Sequence, residues 1–323
     1  MMPRLGAMRA CGIIVKKFAA SKGRDRPSMT TLTTTDASPE KMQAPTGLAL
    51  YWYHFKKSLS TPRPYLTVLG IFLWLFTYWL LCEGLKVDRF DKIPGPVAVA
   101  QDWFSRTPFQ GISLFTEAYY THILVSCRRI LIAFTLATGI GVPLGLFMGW
   151  SKTVRDYTFP ILETLRPIPI LAWVPLAILM FPGFEGPVLF LATLASLFVT
   201  TLNTMLGVQS IDESYFRAAG CLGSSNWDIF KNVVVPGALP YVFTGLQISI
   251  GVAWFSLVAA EMVSGDHGLG YLIVDSYVNS VTVPMVIGMI TLGFVGWFTS
   301  VLVRIAGNRL MQWHVKALAL QGR

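Results

Sequence analysis

Six stretches of nearly uninterrupted apolar residues divide the chain: Leu66–Cys82, Ile130–Trp150, Thr158–Phe181, Pro187–Val208, Tyr241–Ala260 and Val283–Val303. Each approaches the roughly 20 residues that an α-helix needs to cross about 30 Å of hydrocarbon. The pattern predicts an all-α polytopic membrane protein with about six transmembrane helices. The third stretch is the least regular. Pro167, Pro169, Pro175 and Pro182 punctuate it, and an interior proline removes a backbone bond and tends to kink its helix. In the second stretch, Gly141 and Gly145 have the spacing of close helix packing.

One long polar interval, Gln209–Leu239, separates the fourth and fifth stretches. Ser210-Ile-Asp-Glu213 fits a capping box, with Ser210 accepting from the backbone and Glu213 reaching back, and Ser225-Asn-Trp-Asp228 offers a second helix start. The interval therefore reads as a short helix, a Gly-Ser break and a second short helix ended by Pro236. Ala218, Ala219, Gly220 and Gly223 are small enough to let another surface come close. Two short helices with a tight turn also describe a DNA-binding motif. That reading fails because the interval joins two spans and carries only Arg217 and Lys231 as cations. A solvated connector remains the bland alternative.

Charge decides the orientation. The net charge of +9 is unevenly placed: 11 of the 26 Lys and Arg precede the first stretch, and Arg304, Arg309, Lys316 and Arg323 follow the last. Positive flanks mark the cytoplasmic side, and six spans put both termini there, with Lys152, Arg155 and the 209–239 interval. Residues 83–121 mix both signs and lie outside. Arg128 and Arg129, at the external end of the second span, either snorkel to the headgroups or attract an anion. Residues 1–47 read as a disordered cytoplasmic tail, or as sequence ahead of a start at Met29. Residues 48–64, with their aromatic face and basic end, suit an interfacial helix. Residues 65–310 form the membrane domain and 311–323 a second cytoplasmic tail.

Composition removes several functions. Only 13% of residues are charged and 53% are hydrophobic, so a soluble domain could not hide the apolar surface. The four cysteines and four histidines are scattered and match no metal-ligand or disulfide pattern. No Walker loop is present, so no cofactor is expected in this chain. Ionisable groups are absent from the central parts of every span but the third, where Glu163 and Arg166 stand three apart and can neutralise each other. A proton- or ion-coupled carrier keeps such groups inside its bundle, and an intramembrane enzyme needs a catalytic constellation. A transporter with neither such a relay nor a nucleotide site would have to receive its work from partners. Thr200, Thr201, Asn203, Gln247, Ser249, Trp254 and Ser256 are the polar candidates for a pathway. Each is weighed against simple helix–helix bonding. Glu261, Asp266 and His267 lie at the external end of the fifth span, suited to touching a partner or bracing a gate.

Ala218-Ala219, Gly223 and Val233-Val234-Val235-Pro236 resemble the cytoplasmic signature of bacterial ABC importer permeases, with Arg217 where the family usually has Glu. LRPIPILAWVPLAILMF (165–181), RRILIAFTLATGIGVPLGLFMG (128–149) and the stretch 236–273 are similar to permeases for nitrate, taurine, alkanesulfonates and bicarbonate. The resemblance covers roughly residues 120–310. It implies a type I importer permease fold in the inner membrane, a homodimeric pore, two ATP-binding subunits that hold ATP and Mg on the cytoplasmic face, and an extracytoplasmic binding protein. The 209–239 interval would dock on the ATPase through Asp212, Glu213, Arg217, Ala218, Ala219, Gly223 and Pro236. The implied cargo is a small anion. A secondary carrier, or a permease for a heterocyclic vitamin precursor, is the alternative.

Overall fold

A computed structural model describes residues 62–84, 92–108 and 111–311. The expected N-terminal tail, most of the interfacial helix and residues 312–323 lie outside these. Every regular element among the described residues is helical. The chain divides into two compact units, Met1–Leu73 and Trp74–Arg323. The described part of the first is the start of α1 (Pro62–Trp79), where Tyr65, Leu66, Val68 and Phe72 are exposed.

The second unit continues with α2 (Pro96–Trp103), α3 (Glu117–Trp150), α4 (Lys152–Leu165), α5 (Val174–Met180) and α6 (Glu185–Gln209). Beyond them come α7 (Glu213–Cys221), α8 (Asn226–Ile229), α9 (Val235–Ser264), α10 (Leu269–Val278) and α11 (Thr282–Leu310). At its centre lies α6, packed between α3 and α9. Lipid tails are as apolar as the helices, so their association rests on close packing and interhelical hydrogen bonds. The sequence supplies both. A Cβ on Gly141 would stand 3.2 Å from Thr200, one on Gly145 2.5 Å from the Thr201 carbonyl, and one on Gly149 would strike Val208. The three glycines, four residues apart, form the single face that α6 can approach. On the other side of α6, Gly245 of α9 meets Asn203, Gly207 meets Tyr241, and Thr200 bonds Ser249 at 3.0 Å. Such bonds contribute about 0.6 kcal/mol each on average.

These registers fix the directions. Residues 141, 145 and 149 meet 200, 204 and 208 in ascending order, so α3 and α6 are parallel; 203 and 207 meet 245 and 241, so α6 and α9 are antiparallel. Tyr119 bonds Thr291 at 2.8 Å, Trp254 bonds Thr299 at 2.9 Å, and Gly307 faces Phe243. Thus α11 runs parallel to α3 and returns the chain to the end where α3 and α6 finish.

Five helices are long and apolar enough to cross a membrane among the described residues: 65–84, 117–150, 185–209, 226–264 and 282–310. The third predicted span is not one helix. It is the pair 152–165 and 170–180, bent by 92°. Arg166 stays helical ahead of Pro167, whose missing N–H ends the ladder, and Pro169 is extended (ψ 134°). Because α3 and α6 are parallel, residues 151–184 must travel the length of the bundle between them. The broken pair is the sixth crossing. Among the described residues no ion pair joins Glu163 and Arg166, and Arg166 caps the end of α4.

Candidate functional site: an ionic hub and an exposed loop at opposite ends

Glu185 begins α6 and Gln209 ends it, about 36 Å apart at 1.5 Å per residue. The chemistry of the molecule gathers at these two ends.

The hub starts from three residues on one face of α3: His122, Ser126 and Arg129, at i, i+4 and i+7. Arg129 is fully buried. Its Nε donates to Glu185 Oε2 at 3.0 Å, and Nη2 donates to Glu185 Oε1 at 2.8 Å and to Asp266 Oδ1 at 3.3 Å. Nη1 donates to Glu261 Oε1 at 3.0 Å and to the His267 carbonyl. Arg128 is exposed and pairs with Glu185 at 3.1 Å. The neighbouring arginines therefore differ: Arg128 reaches outward as expected, whereas Arg129 neither snorkels nor awaits an anion.

Glu261 is fully buried as well. It accepts from Ser126 Oγ at 2.8 and 3.0 Å and from the Gly270 N–H at 2.9 Å, besides Arg129. Ser126 Oγ in turn accepts from the Leu269 N–H at 2.9 Å, and His122 Nδ1 accepts from the Gly268 N–H at 3.1 Å. Three successive backbone donors at the start of α10 are thus satisfied by side chains of α3 and α9. A carboxylate is the favoured partner there, because the N-terminus of a helix carries partial positive charge. Burying a charge pair costs several kcal/mol of desolvation per ion unless the remaining donors and acceptors are also bonded, and this hub meets that condition. Burial pushes the Asp266 carboxyl up, but its own backbone N–H, His267 and Arg129 outweigh this and hold it below its ordinary 3.8. Beside it a cavity of about 500 Å3 opens, lined by Glu117, Thr121, His122, Asp266, His267 and Tyr271. The rings of His122 and His267 stack at 6.0 Å.

At the opposite end, α7 and α8 form two short helices as predicted, with different caps. Asp212, not Ser210, begins α7: its carboxylate accepts from the Ser214 N–H at 2.7 Å, while Ser210 Oγ donates back to the Gly207 carbonyl at 2.8 Å. Residue 210 still belongs to the last turn of α6, which is why its hydroxyl finds that carbonyl. Glu213 faces Arg217 at 4.0 Å instead of reaching back. The second capping box, Ser225 with Asp228, is present. Between the helices Gly223 adopts φ 79°, where its lack of a Cβ removes the usual penalty. The Ser224 N–H bonds the Ala219 carbonyl and the Gly223 N–H bonds that of Gly220, both at 3.1 Å, the Schellman closure of a helix end. Pro236 does not stop α8. A wider turn at Phe230–Val234 leads directly into α9 with Pro236 in its first turn, where a proline needs no N–H partner.

Phe216 and Phe230 anchor this loop to Trp150 of α3 by ring contacts of 6.0 Å, and Trp227 stacks on Phe230 at 5.5 Å. Outward it shows Tyr215 (63% exposed), Leu222 (85%) and Trp227 (66%). Asp212, Glu213, Arg217, Ala218 and Gly223 are exposed, and Ala219 and Pro236 are half-buried. A Cβ on Gly220 or Gly223 would meet nothing within 4 Å.

The pathway candidates lie between these ends. Thr200 and Ser249 are buried and bonded to each other, and Ser249 Oγ also donates to the Ser196 carbonyl at 3.2 Å. Thr201 and Ser256 are buried with unbonded hydroxyls among the described residues. Asn203 Nδ2 donates to the Val199 carbonyl at 2.8 Å, and Trp254 Nε1 to Thr299 at 2.9 Å. Gln247 is half-buried. The structure does not draw these into one cavity. It gathers Glu261, Asp266 and His267 instead, together with Arg129, whose central place the sequence reading missed.

Comparison with known proteins adds the lineage. The family model described as "Binding-protein-dependent transport system inner membrane component" matches residues 141–314, more than half of the chain. The nitrate import permease protein of Synechocystis sp. is 32% identical over 240 residues, covering 74% of this chain and 86% of that protein. The taurine transport system permease protein of Escherichia coli is 32% identical over 247 residues, covering 76% and 89%. Among solved structures, the chain is similar to an inward-facing methionine ABC transporter at 18% identity and TM-score 0.49, over 59% of this chain and 93% of that one.

Proposed function

Since the chain belongs to the family of binding-protein-dependent transport system inner membrane components, we propose that it is the permease subunit of an ATP-driven importer. It passes a small anion of the nitrate, taurine, sulfonate or bicarbonate class from an extracytoplasmic binding protein into the cytoplasm. Two copies form the pore, and two ATP-binding subunits, which hold ATP and Mg, dock on the 209–239 loop. Hydrolysis belongs to those subunits and not to this chain.

The observation that carries this reading is the loop itself. It is a preformed, fully capped pair of helices that leaves Tyr215, Leu222 and Trp227 open at one end of the bundle. Large apolar side chains left in the open on one loop are suited to an interaction site. Arg217 and the small residues Ala218 and Gly223 lie beside them, so a groove wall can approach closely. The ionic arrangement also favours partner-supplied energy. The buried charges among the described residues, Arg129 and Glu261, both sit in the hub at the other end, and no relay of such groups runs down the bundle.

Ala218→Trp tests the docking. The site is helical and exposed, so folding tolerates the ring, while the ring holds a groove wall away. ATP hydrolysis stimulated by loaded binding protein in proteoliposomes is expected to fall to the unstimulated level. Native stimulation in that variant refutes docking through this face.

A further inference from the structure

Arg129 has no free donor. A guanidinium carries five N–H groups, and here Nε, both of Nη1 and both of Nη2 are engaged by protein oxygens. An arginine that receives a transported anion needs open donors, so this one acts on the protein. Its partners come from three separate pieces: Glu185 from α6, Glu261 from α9, and Asp266 with the His267 carbonyl from the loop 265–268.

That loop is the removable piece. Asp266 and Glu185 side chains are 45% exposed, whereas Arg129 and Glu261 are fully buried. Lifting residues 265–268 withdraws two of the five acceptors from Arg129 and admits water to the rest. Glycines bound the loop on both sides. Gly268 has φ 125°, and a Cβ there would collide with the Glu261 carboxylate; a Cβ on Gly265 would stand 2.6 Å from the Glu261 carbonyl. The loop therefore seats against Glu261 only because both ends lack side chains. Its backbone continues into the three N–H groups held by His122, Ser126 and Glu261, so α10 moves with it.

We infer that Arg129 is the positioning residue of an external latch: it clamps the 265–268 loop and the start of α10 onto α3, α6 and α9, and the outer side opens only when these bonds are exchanged. The inference rests on the importer reading for its place in a transport cycle. It gives Arg129 a conformational role in place of substrate contact.

The test uses the complete transporter in proteoliposomes, with native Cys127 as the reporter and the other cysteines replaced. Cys127 is half-buried, adjoins Ser126 and packs against the core at the level of the hub. Two rates are read: labelling of Cys127 by an impermeant maleimide, and ATP hydrolysis without binding protein. Asp266→Ala removes one loop contact, and Arg129→Lys keeps the charge but cannot span the same acceptors. Each is expected to raise both rates about fivefold or more, the effect of about 1 kcal/mol on a two-state equilibrium. Native rates in Asp266→Ala, whose half-exposed side chain is not needed for insertion, overturn the latch. So does an Arg129→Lys protein that loses thermal stability while both rates stay native, because Arg129 is then only a brace. If the native complex fails to couple hydrolysis to uptake, the importer reading falls, and Cys127 labelling alone decides the latch.

Discussion

The two ends of this bundle use polar residues in opposite ways. At the hub, Arg129 bonds partners 56 to 138 residues away in sequence, and every donor it has is spent inside the protein. In the loop, the capping bonds join residues two to five apart, and the large side chains are left outside. A site closed by distant partners registers the relative movement of the helices that supply them. A site closed by its neighbours keeps its shape whatever the helices do. The first suits a latch and the second suits a rigid handle on which a partner can pull.

The largest expected effect is on the hub. Arg129→Met leaves Glu261 buried with only Ser126 and Gly270 as donors, and removing one member of a buried pair costs about 3–5 kcal/mol. Thermal unfolding in detergent should show a midpoint far below native. A native midpoint would mean that the hub carries no stability. The long apolar interface between the two ends comes next. Gly145→Leu drives a side chain into the Thr201 carbonyl and Thr204, and overpacking of this kind costs about 1–3 kcal/mol. The same assay, with Gly139→Leu as the control because a Cβ there meets nothing within 4 Å, separates packing from hydropathy.

A matched pair of substitutions sharpens the loop side. Gly223→Ala forces a left-handed backbone on a residue with a Cβ, at about 1–2 kcal/mol. Gly220→Ala, in the helix and in open space, gains helix propensity of up to about 1 kcal/mol. Opposite signs in loop protection, measured by hydrogen exchange, are expected; equal signs would contradict the Schellman closure. The smallest effect is that of pH. The Ser214 N–H holds the Asp212 carboxyl below its ordinary 3.8. A carboxyl lowered in the folded state contributes stability that is present above its unfolded value and lost as pH falls through the folded value. Protection of α7 should therefore be unchanged between neutral pH and about pH 5 and decline only below 3.8. A decline near pH 6 would implicate another group.

Much of this was legible in the chain. The apolar runs located the long helices, and Gly141 with Gly145 marked the contact face of α3. The prolines between 167 and 182 forewarned of the break, although not of its 92° angle, since kink size depends on what the freed backbone finds to bond. The Ser225–Asp228 box is local and was read correctly. Ser210 was misread because whether a serine caps the next helix or bonds back into the last one depends on where the earlier helix stops. Pro236 was misread for the same reason: a proline stops a helix or starts one according to its register. The hub was hidden more deeply. His122, Ser126 and Arg129 at i, i+4 and i+7 are a visible polar stripe, but Glu185, Glu261 and Asp266 join it only through the packing of three helices. Periodicity along one segment carries no information about partners so far away in sequence.

Reconstitution tests the central claim most directly, that work enters through the loop from partner subunits and not through charges of this chain. The purified subunit alone, in liposomes with an inward proton gradient, is expected to accumulate none of labelled nitrate, taurine or bicarbonate. With ATPase subunits and binding protein added, uptake of one of them should follow ATP hydrolysis and survive collapse of the gradient while ATP is maintained. Concentrative uptake by the subunit alone would contradict the account.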